Sequence, residues 1–111
     1  ILTIALNYGG RREILAAVQA MIRSAVAGKL DPGCVNEQKF EEGLETHGLP
    51  DPDLLIRTSG ECRLSNFLLW QCAYSEFVFT QTLWPDFGKA ELLSAIEEFH
   101  QRERRYGGTR R

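Results

Sequence analysis

Three side chains stand out for what they can do together: Arg57, Arg63 and Ser65. Arg57 closes the apolar run Leu54-Leu55-Ile56. Arg63 follows six residues later, at the end of the polar stretch Arg57-Thr58-Ser59-Gly60-Glu61-Cys62-Arg63, and Ser65 stands where the next element is expected to begin. In open parallel sheets, ligands bind beyond the carboxyl ends of the strands. Guanidinium forks contact phosphate oxygens in pairs. Free amides at a helix start, with the positive end of its dipole, attract anions. The ligand these residues imply is a phosphate or diphosphate. A plainer reading stays open for each: an arginine solvated or paired with Glu61, and a serine that only caps a helix.

Other polar residues are less specific. Glu76 opens an aromatic and β-branched run, and on its own it reads as a solvated glutamate at a strand start. Asn7 and Arg11 bracket the turn Tyr8-Gly9-Gly10, where they either approach a substrate or shape the turn. His47 and His100 have no partner pattern for a metal or for catalysis. Asp86 reads as a cap of the last helix or the partner of an arginine. Trp70 and Trp84 read as core or dimer interface, and Phe67, Leu68 and Leu69 as packing beneath the site or between subunits. Cys34, Cys62 and Cys72 cannot all pair and form no Cys-x-x-Cys unit, so neither a disulfide framework nor a zinc site is implied. A reducing compartment, the cytoplasm, is the simplest expectation.

The elements that must position these groups follow from periodicity. Residues 2–6 read as a short buried strand ended by the glycine turn. A helix follows, with Ile14, Leu15, Val18, Met21, Ile22, Ala25 and Val26 on one face and Gly28 as its stop. Asn36 caps a second helix with Phe40 and Leu44 buried, ending near Gly48. Residues 54–56 read as a second strand, and Ser65 or Asn66 caps a helix to about residue 74. Residues 77–80 form a third strand, and a final helix over about 89–104 turns Leu92, Leu93, Ile96, Phe99 and His100 inward. This alternation predicts an α/β fold with a parallel sheet flanked by helices.

Bulk properties narrow the function classes. The chain has 111 residues, 43% apolar and 25% charged, which are globular values. Thirteen Lys and Arg against 15 Asp and Glu leave a net charge of −2, so no global field draws nucleic acid or an anionic membrane. The arginines are uneven, with Arg102, Arg104, Arg105, Arg110 and Arg111 in the last ten positions. No apolar stretch approaches the roughly 20 residues that span a bilayer. The chain opens on Ile1-Leu2-Thr3-Ile4, a strand already under way, and the expectation is a piece of a longer protein.

Several blocks, in order, carry a family resemblance. They are Asn7-Tyr8-Gly9-Gly10-Arg11, Asp53 through Glu61, Arg63 through Gln71, Ala73-Tyr74-Ser75-Glu76-Phe77, Leu83-Trp84-Pro85-Asp86-Phe87, and Arg102-Glu103-Arg104-Arg105-Tyr106-Gly107-Gly108. Together they resemble the cis-prenyltransferases, which include the undecaprenyl and dehydrodolichyl diphosphate synthases. The resemblance implies that residues 1–111 are the carboxyl-terminal portion of a single cis-prenyltransferase domain whose amino-terminal half is absent. The implied activity is condensation of isopentenyl diphosphate onto an allylic diphosphate, with a Z double bond formed at each addition and Mg2+ as cofactor.

Carried over residue by residue, Arg57, Arg63 and Ser65 match the positions that hold isopentenyl diphosphate, and Leu64 contributes backbone within that motif. Glu76 matches the magnesium ligand. Arg105 and Gly107 match an Arg-x-Gly element that reaches the partner's active site in a homodimer. Cys62 stands where many bacterial relatives carry His. The family's essential Asp and proton-handling Asn belong to upstream blocks that nothing here resembles, so this piece is expected not to turn over alone. If the strands are parallel, Arg57 ends one and Glu76 begins the next, at opposite edges. The expectation is a magnesium site shared with a second subunit. The alternative is a non-catalytic partner subunit of a full-length transferase. No nucleic-acid partner is expected. Peripheral membrane contact would come only through the lipid product, with plastid or endoplasmic reticulum surface as the plant alternatives.

Overall fold

The computed structural model describes residues 1–102, in two units. The first comprises Ile1–Pro50 with Ser65–Trp70, and the second comprises Asp51–Leu64 with the chain from Gln71 onward.

The first unit is built on helix α1, Gly10–Val26. Gly9 precedes it with no side chain to accept the first free amides. Asn66 takes that role from afar: its backbone carbonyl accepts from Gly10 N at 2.7 Å and its Oδ1 accepts from Arg11 N at 2.9 Å. The approach is close enough that Gly10 must be glycine, since a Cβ there would sit 2.8 Å from Leu69 Cγ and 3.1 Å from Asn66 O. Asn66 meets this geometry in the left-handed region, with φ 65. Asn66→Ala therefore loses both an acceptor and a residue tolerant of that conformation, at about 1 kcal/mol. Hydrogen exchange at the Arg11 amide reads this as faster exchange. Asn66→Gly keeps the backbone freedom and isolates the acceptor's share.

A 3-10 turn at Pro32–Cys34 leads to the short helix α2, Glu37–Glu41, capped as expected by Asn36, whose Oδ1 accepts from Lys39 N at 2.8 Å. Leu44 is buried beyond its end. Gly43 faces Ala17 so closely that a Cβ would come within 3.1 Å of the alanine's own. Phe40 packs on Trp70 at 4.6 Å between ring centroids, and Trp70 Nε1 donates to Glu41 Oε1 at 3.1 Å. Trp70 is thus a packing residue, as one of its two readings held.

Several expectations are corrected, beginning with α2, which ends at Glu41 rather than near Gly48. Residues 2–6 form no strand, and Leu2, Ile4 and Leu6 are exposed. A strand exists only when its amides find a neighbour, and none of the described residues pairs with this segment. The face that α1 buries is Gly10, Glu13 and Ala17, while Leu15, Val18, Ile22 and Val26 of the apolar stripe stay exposed. The helix predicted over 65–74 is a series of turns, because Ser65, Asn66 and Leu68 all have positive φ, at 52, 65 and 45. A right-handed helix cannot pass through three such residues.

The second unit holds the sheet. Strands β1, Leu54–Arg57, and β2, Glu76–Phe79, pair in parallel with Leu54 opposite Glu76 and Arg57 opposite Phe79. The ladder extends at both ends, through Glu76 N to Asp53 O and Thr80 N to Arg57 O, each 2.9 Å. Helix α3, Lys89–His100, packs on β2, and Cys72, Val78 and Ala95 are the buried apolar residues. The core face of α3 runs through Ala95, with Ile96 and Phe99 half-buried; Leu92, Leu93 and His100 point outward, contrary to expectation. Asp86 does not cap this helix. Gly88 precedes it, and its N–H is accepted by Glu91 Oε2 at 2.9 Å. Trp84 is 72% exposed and stacks on Phe87, so it is not core.

Candidate functional site

β1 delivers Arg57 at its carboxyl end, and the next residues turn back over the strand ends. Ser59 and Gly60 both adopt positive φ, 66 and 70. Their amides are tied to the chain just past β2, Ser59 N to Thr82 O and Gly60 N to Thr80 O, each 2.9 Å. Gly60 lies so close to Gln81 that a Cβ would meet its Oε1 at 2.5 Å. The loop is therefore pinned across the carboxyl edge of the parallel pair. Arg57 supplies a further tie, donating from Nη1 to the carbonyl of Arg63 at 2.9 Å. This brings Arg57 and Arg63 together at one sheet edge.

Their side chains differ in setting. Arg63 is 66% exposed and pairs with Glu61, which is the plainer of the two readings for that residue. The pairing is with an exposed carboxylate, and such pairs hold by about 1 kcal/mol or less. Arg63 and Leu64 also line a cavity of about 220 Å³ with Leu55, Cys62, Phe77 and Phe79. The edge thus offers a cationic rim over an apolar floor. Cys62 is exposed, with its thiol near Gly60 O at 3.8 Å.

Ser65 belongs to the first unit, one peptide bond past Leu64. It opens no helix, so no helix start or dipole stands at Ser65 to attract an anion, contrary to expectation. What remains is the hydroxyl itself. The start of α1 is no substitute, since Asn66 already takes its first amides. Arg11 and Asn7 flank that start. The Asn7 carbonyl accepts from Arg12 Nη2 and its φ is 52, which marks it as a turn-shaping residue.

Glu76 stands at the other end of the sheet. It is the first residue of β2, three register steps from the pair Arg57–Phe79, or roughly 10 Å along the strand. The parallel arrangement expected from sequence holds, and so does the separation of Glu76 from Arg57. The carboxylate has a partner that sequence reasoning did not assign: Arg102 Nη1 lies 3.2 Å from Glu76 Oε2, and Arg102 Nη2 pairs with Glu98. The two carboxylates hold the Arg102 guanidinium protonated beyond its ordinary range, the Glu98 hydrogen bond first and that of Glu76 second. The only available signal was the spacing of Glu98 and Arg102, an i,i+4 pair on one helix face. Among the described residues no three His, Cys, Asp or Glu gather as a metal cluster. His47 and His100 remain without such a role. Arg105 and Gly107 lie outside the described residues.

A second polar cluster also escaped the sequence reading. Glu13 is buried, 2% exposed, and receives the Tyr8 hydroxyl on Oε2 and Glu45 N on Oε1, the latter at 2.8 Å. Burial and the Glu13 carboxylate raise the Tyr8 phenol well above its ordinary range. Phe67 stands edge-on to Tyr8 at 5.7 Å.

The carboxyl edge of the parallel strand pair thus carries the Arg57 guanidinium bonded to the Arg63 backbone, with the Arg63 side chain beside a small, mainly apolar pocket. The chain belongs to the cis-prenyltransferase family: the family model described as "Putative undecaprenyl diphosphate synthase" matches residues 1–107. The isoprenyl transferase of Brucella abortus is 58% identical over 96% of this chain and 42% of that protein, and that of Clostridium perfringens is 54% identical over 97% and 43%. The chain therefore spans less than half the length of these relatives. Among solved structures, lavandulyl diphosphate synthase from Lavandula x intermedia, determined with dimethylallyl diphosphate, superposes with a TM-score of 0.89 at 46% identity, covering 93% of this chain and 44% of that one. A probable undecaprenyl diphosphate synthase from Campylobacter jejuni gives 0.74 at 41%, covering 93% and 45%. The mixed helix and parallel-strand architecture is accordingly part of the cis-prenyltransferase fold. No helix among the described residues is long and apolar enough to cross a membrane.

Proposed function

We propose that residues 1–111 are the carboxyl-terminal portion of a single cis-prenyltransferase domain that binds isopentenyl diphosphate. The observation that carries this is the joining of Arg57 and Arg63 at the carboxyl edge of β1, through the 2.9 Å bond from Arg57 Nη1 to Arg63 O. In this reading the two guanidiniums and the Ser65 hydroxyl hold the diphosphate, and Leu64 contributes backbone. The apolar pocket beside Arg63 takes hydrocarbon.

The complete protein joins isopentenyl diphosphate to an allylic diphosphate. A carbon–carbon bond forms to the allylic carbon as its diphosphate leaves, and loss of a proton sets a Z double bond. Arg57 and Arg63 orient the nucleophilic partner by its diphosphate, so that its alkene faces the carbon where positive charge develops. The allylic partner is inferred from the family and from the ligand carried by the lavender relative.

The Glu76 carboxylate is 26% exposed and accepts a cationic group on Oε2, which supports its reading as a magnesium ligand. Magnesium takes one or two protein carboxylates and fills its shell with water and phosphate oxygens, so a single glutamate suffices as this chain's share. When bound, the ion neutralises charge on the diphosphate oxygens. Because Glu76 lies at the opposite sheet end from Arg57, it serves a site shared with a second subunit of a homodimer. A cytoplasmic setting and contact with membrane only through the lipid product complete the reading.

Two measurements test it. Calorimetric titration of the chain with isopentenyl diphosphate and magnesium shows binding that isopentenyl monophosphate does not match. Incubation with labelled isopentenyl diphosphate and an allylic diphosphate yields no elongated product from this chain alone, because the essential Asp and Asn of the family belong to blocks it does not contain. Equal affinity for the two ligands removes the diphosphate site, and turnover by the isolated chain removes the division of labour.

A further inference from the structure

Arg102 ties the last turn of α3 to the first residue of β2. Its backbone N–H is accepted by Phe99 O at 3.1 Å, which fixes the residue at the helix end. Its guanidinium is then shared between two carboxylates, Nη1 with Glu76 Oε2 at 3.2 Å and Nη2 with Glu98 one helical turn earlier. All three side chains are partly exposed, Arg102 by 34%, Glu76 by 26% and Glu98 by 51%, so the group is open to solvent ions. The Glu76 backbone is fixed independently of the arginine, with its N–H bonded to Asp53 O at 2.9 Å.

We propose that Arg102 is a cation-sensitive latch: it occupies the Glu76 carboxylate when no metal is bound and falls back on Glu98 when a divalent cation takes that carboxylate. The inference rests on the reading of Glu76 as a metal ligand and adds a competitor for it. Two features make exchange inexpensive. The guanidinium already holds the Glu76 carboxylate through Oε2, and a divalent cation drawn to the same carboxylate would compete with it for that negative charge. Arg102 also keeps an i,i+4 partner after release, so no charge is left unpaired. The Glu76 contact is the longer of its two ion pairs, and it is the one that yields. Arg102 is thus a positioning residue: it sets how readily Glu76 accepts a metal and touches no substrate.

The test uses the 111-residue chain and Mn2+ as a paramagnetic probe, read by broadening of the Glu76 amide resonance, with Mg2+ as its diamagnetic counterpart. Removing a partly exposed ion pair frees up to about 1 kcal/mol. Arg102→Gln is therefore expected to bind Mn2+ at Glu76 about two- to fivefold more tightly than wild type, and Arg102→Lys to fall between. In wild type, Mg2+ shifts the Arg102 Nε resonance in step with the Glu76 amide. Glu76→Gln abolishes both responses. If Glu76 responds to metal while Arg102 Nε stays still and Arg102→Gln binds no tighter, the latch is overturned and the metal reading survives. If no variant shows broadening at Glu76, with inorganic diphosphate present to complete the ion's shell as well as without it, the metal reading fails and takes the latch with it.

Discussion

On the proposed reading, Arg57→Ala and Arg63→Ala are each expected to weaken isopentenyl diphosphate binding about 10- to 150-fold, the loss of a hydrogen-bonded charge from a diphosphate site. The two are not equal. Arg57 also bonds the Arg63 carbonyl, so its removal loosens the loop that presents the second guanidinium, and its effect falls at the upper end. Arg63 is 66% exposed and already engaged by Glu61, so part of its charge is spent in the free chain and its effect falls lower. The same pairing gives a sign that distinguishes a binding site from a structural loop. Glu61→Gln releases Arg63 and removes a carboxylate that repels the ligand, so affinity rises by a few fold, in keeping with a surface pair. Calorimetry with isopentenyl diphosphate and magnesium reads all three variants. Arg57→Lys retains the charge but loses the fork, and recovers only part of the affinity. Unchanged affinity in both alanine variants ends the assignment of this edge as the diphosphate site.

How much of this was legible in the sequence differs from element to element, for physical reasons. β1, β2 and α3 were readable because each satisfies its backbone locally or with a neighbour inside the chain. The parallel register that separates Glu76 from Arg57 followed from the order of elements alone. Residues 2–6 misled because an apolar, β-branched run reports only the preference to pair, and no described residue pairs with it. The α1 stripe misled in the same way. Its spacing fixed a helix, while burial went to the side carrying Gly10, Glu13 and Ala17, where the small residues allow the approach of Asn66 and Gly43. Residues 65–70 failed for the opposite reason. Ser65 and Asn66 are good caps, but Asn66 caps α1 across 55 positions of sequence rather than a helix of its own. Pattern reading has no access to a cap that distant. Arg102 was visible within a family block, yet its partners Glu76 and Glu98 needed coordinates, because Arg102 lies just past the end of α3 and Glu76 stands on β2.

The largest stability effect is expected at Glu13, whose two oxygens both accept hydrogen bonds, Oε2 from the Tyr8 hydroxyl and Oε1 from Glu45 N. Glu13→Ala leaves the Tyr8 hydroxyl and Glu45 N–H without that acceptor in surroundings where water replaces it poorly, and it opens a cavity beneath α1. At about 1–3 kcal/mol for an orphaned donor, a loss of about 3 kcal/mol is expected. Urea unfolding followed by Trp70 fluorescence, in a Trp84→Phe background, measures it. Trp84 is exposed and stacked in the second unit, so its removal leaves the reporting tryptophan in the unit under test.

Glu13→Gln is expected to cost far less. The amide oxygen accepts from Glu45 N, the amide nitrogen donates to the Tyr8 oxygen, and the phenol proton rotates away. The two variants also separate in alkali. Tyr8 is raised above its ordinary pKa of about 10, so above that pH the unfolded chain binds fewer protons than the folded one. By linkage the stability that Tyr8 contributes is complete below about pH 10 and declines as the pH rises past it. In Glu13→Gln the amide donates to the phenol oxygen and favours its ionised form, so the alkaline decline is shallower than in wild type. In Tyr8→Phe this contribution to the decline is gone. A decline equally steep in all three chains would place the alkaline transition elsewhere and remove the Tyr8–Glu13 pair from the account of how the start of α1 is held.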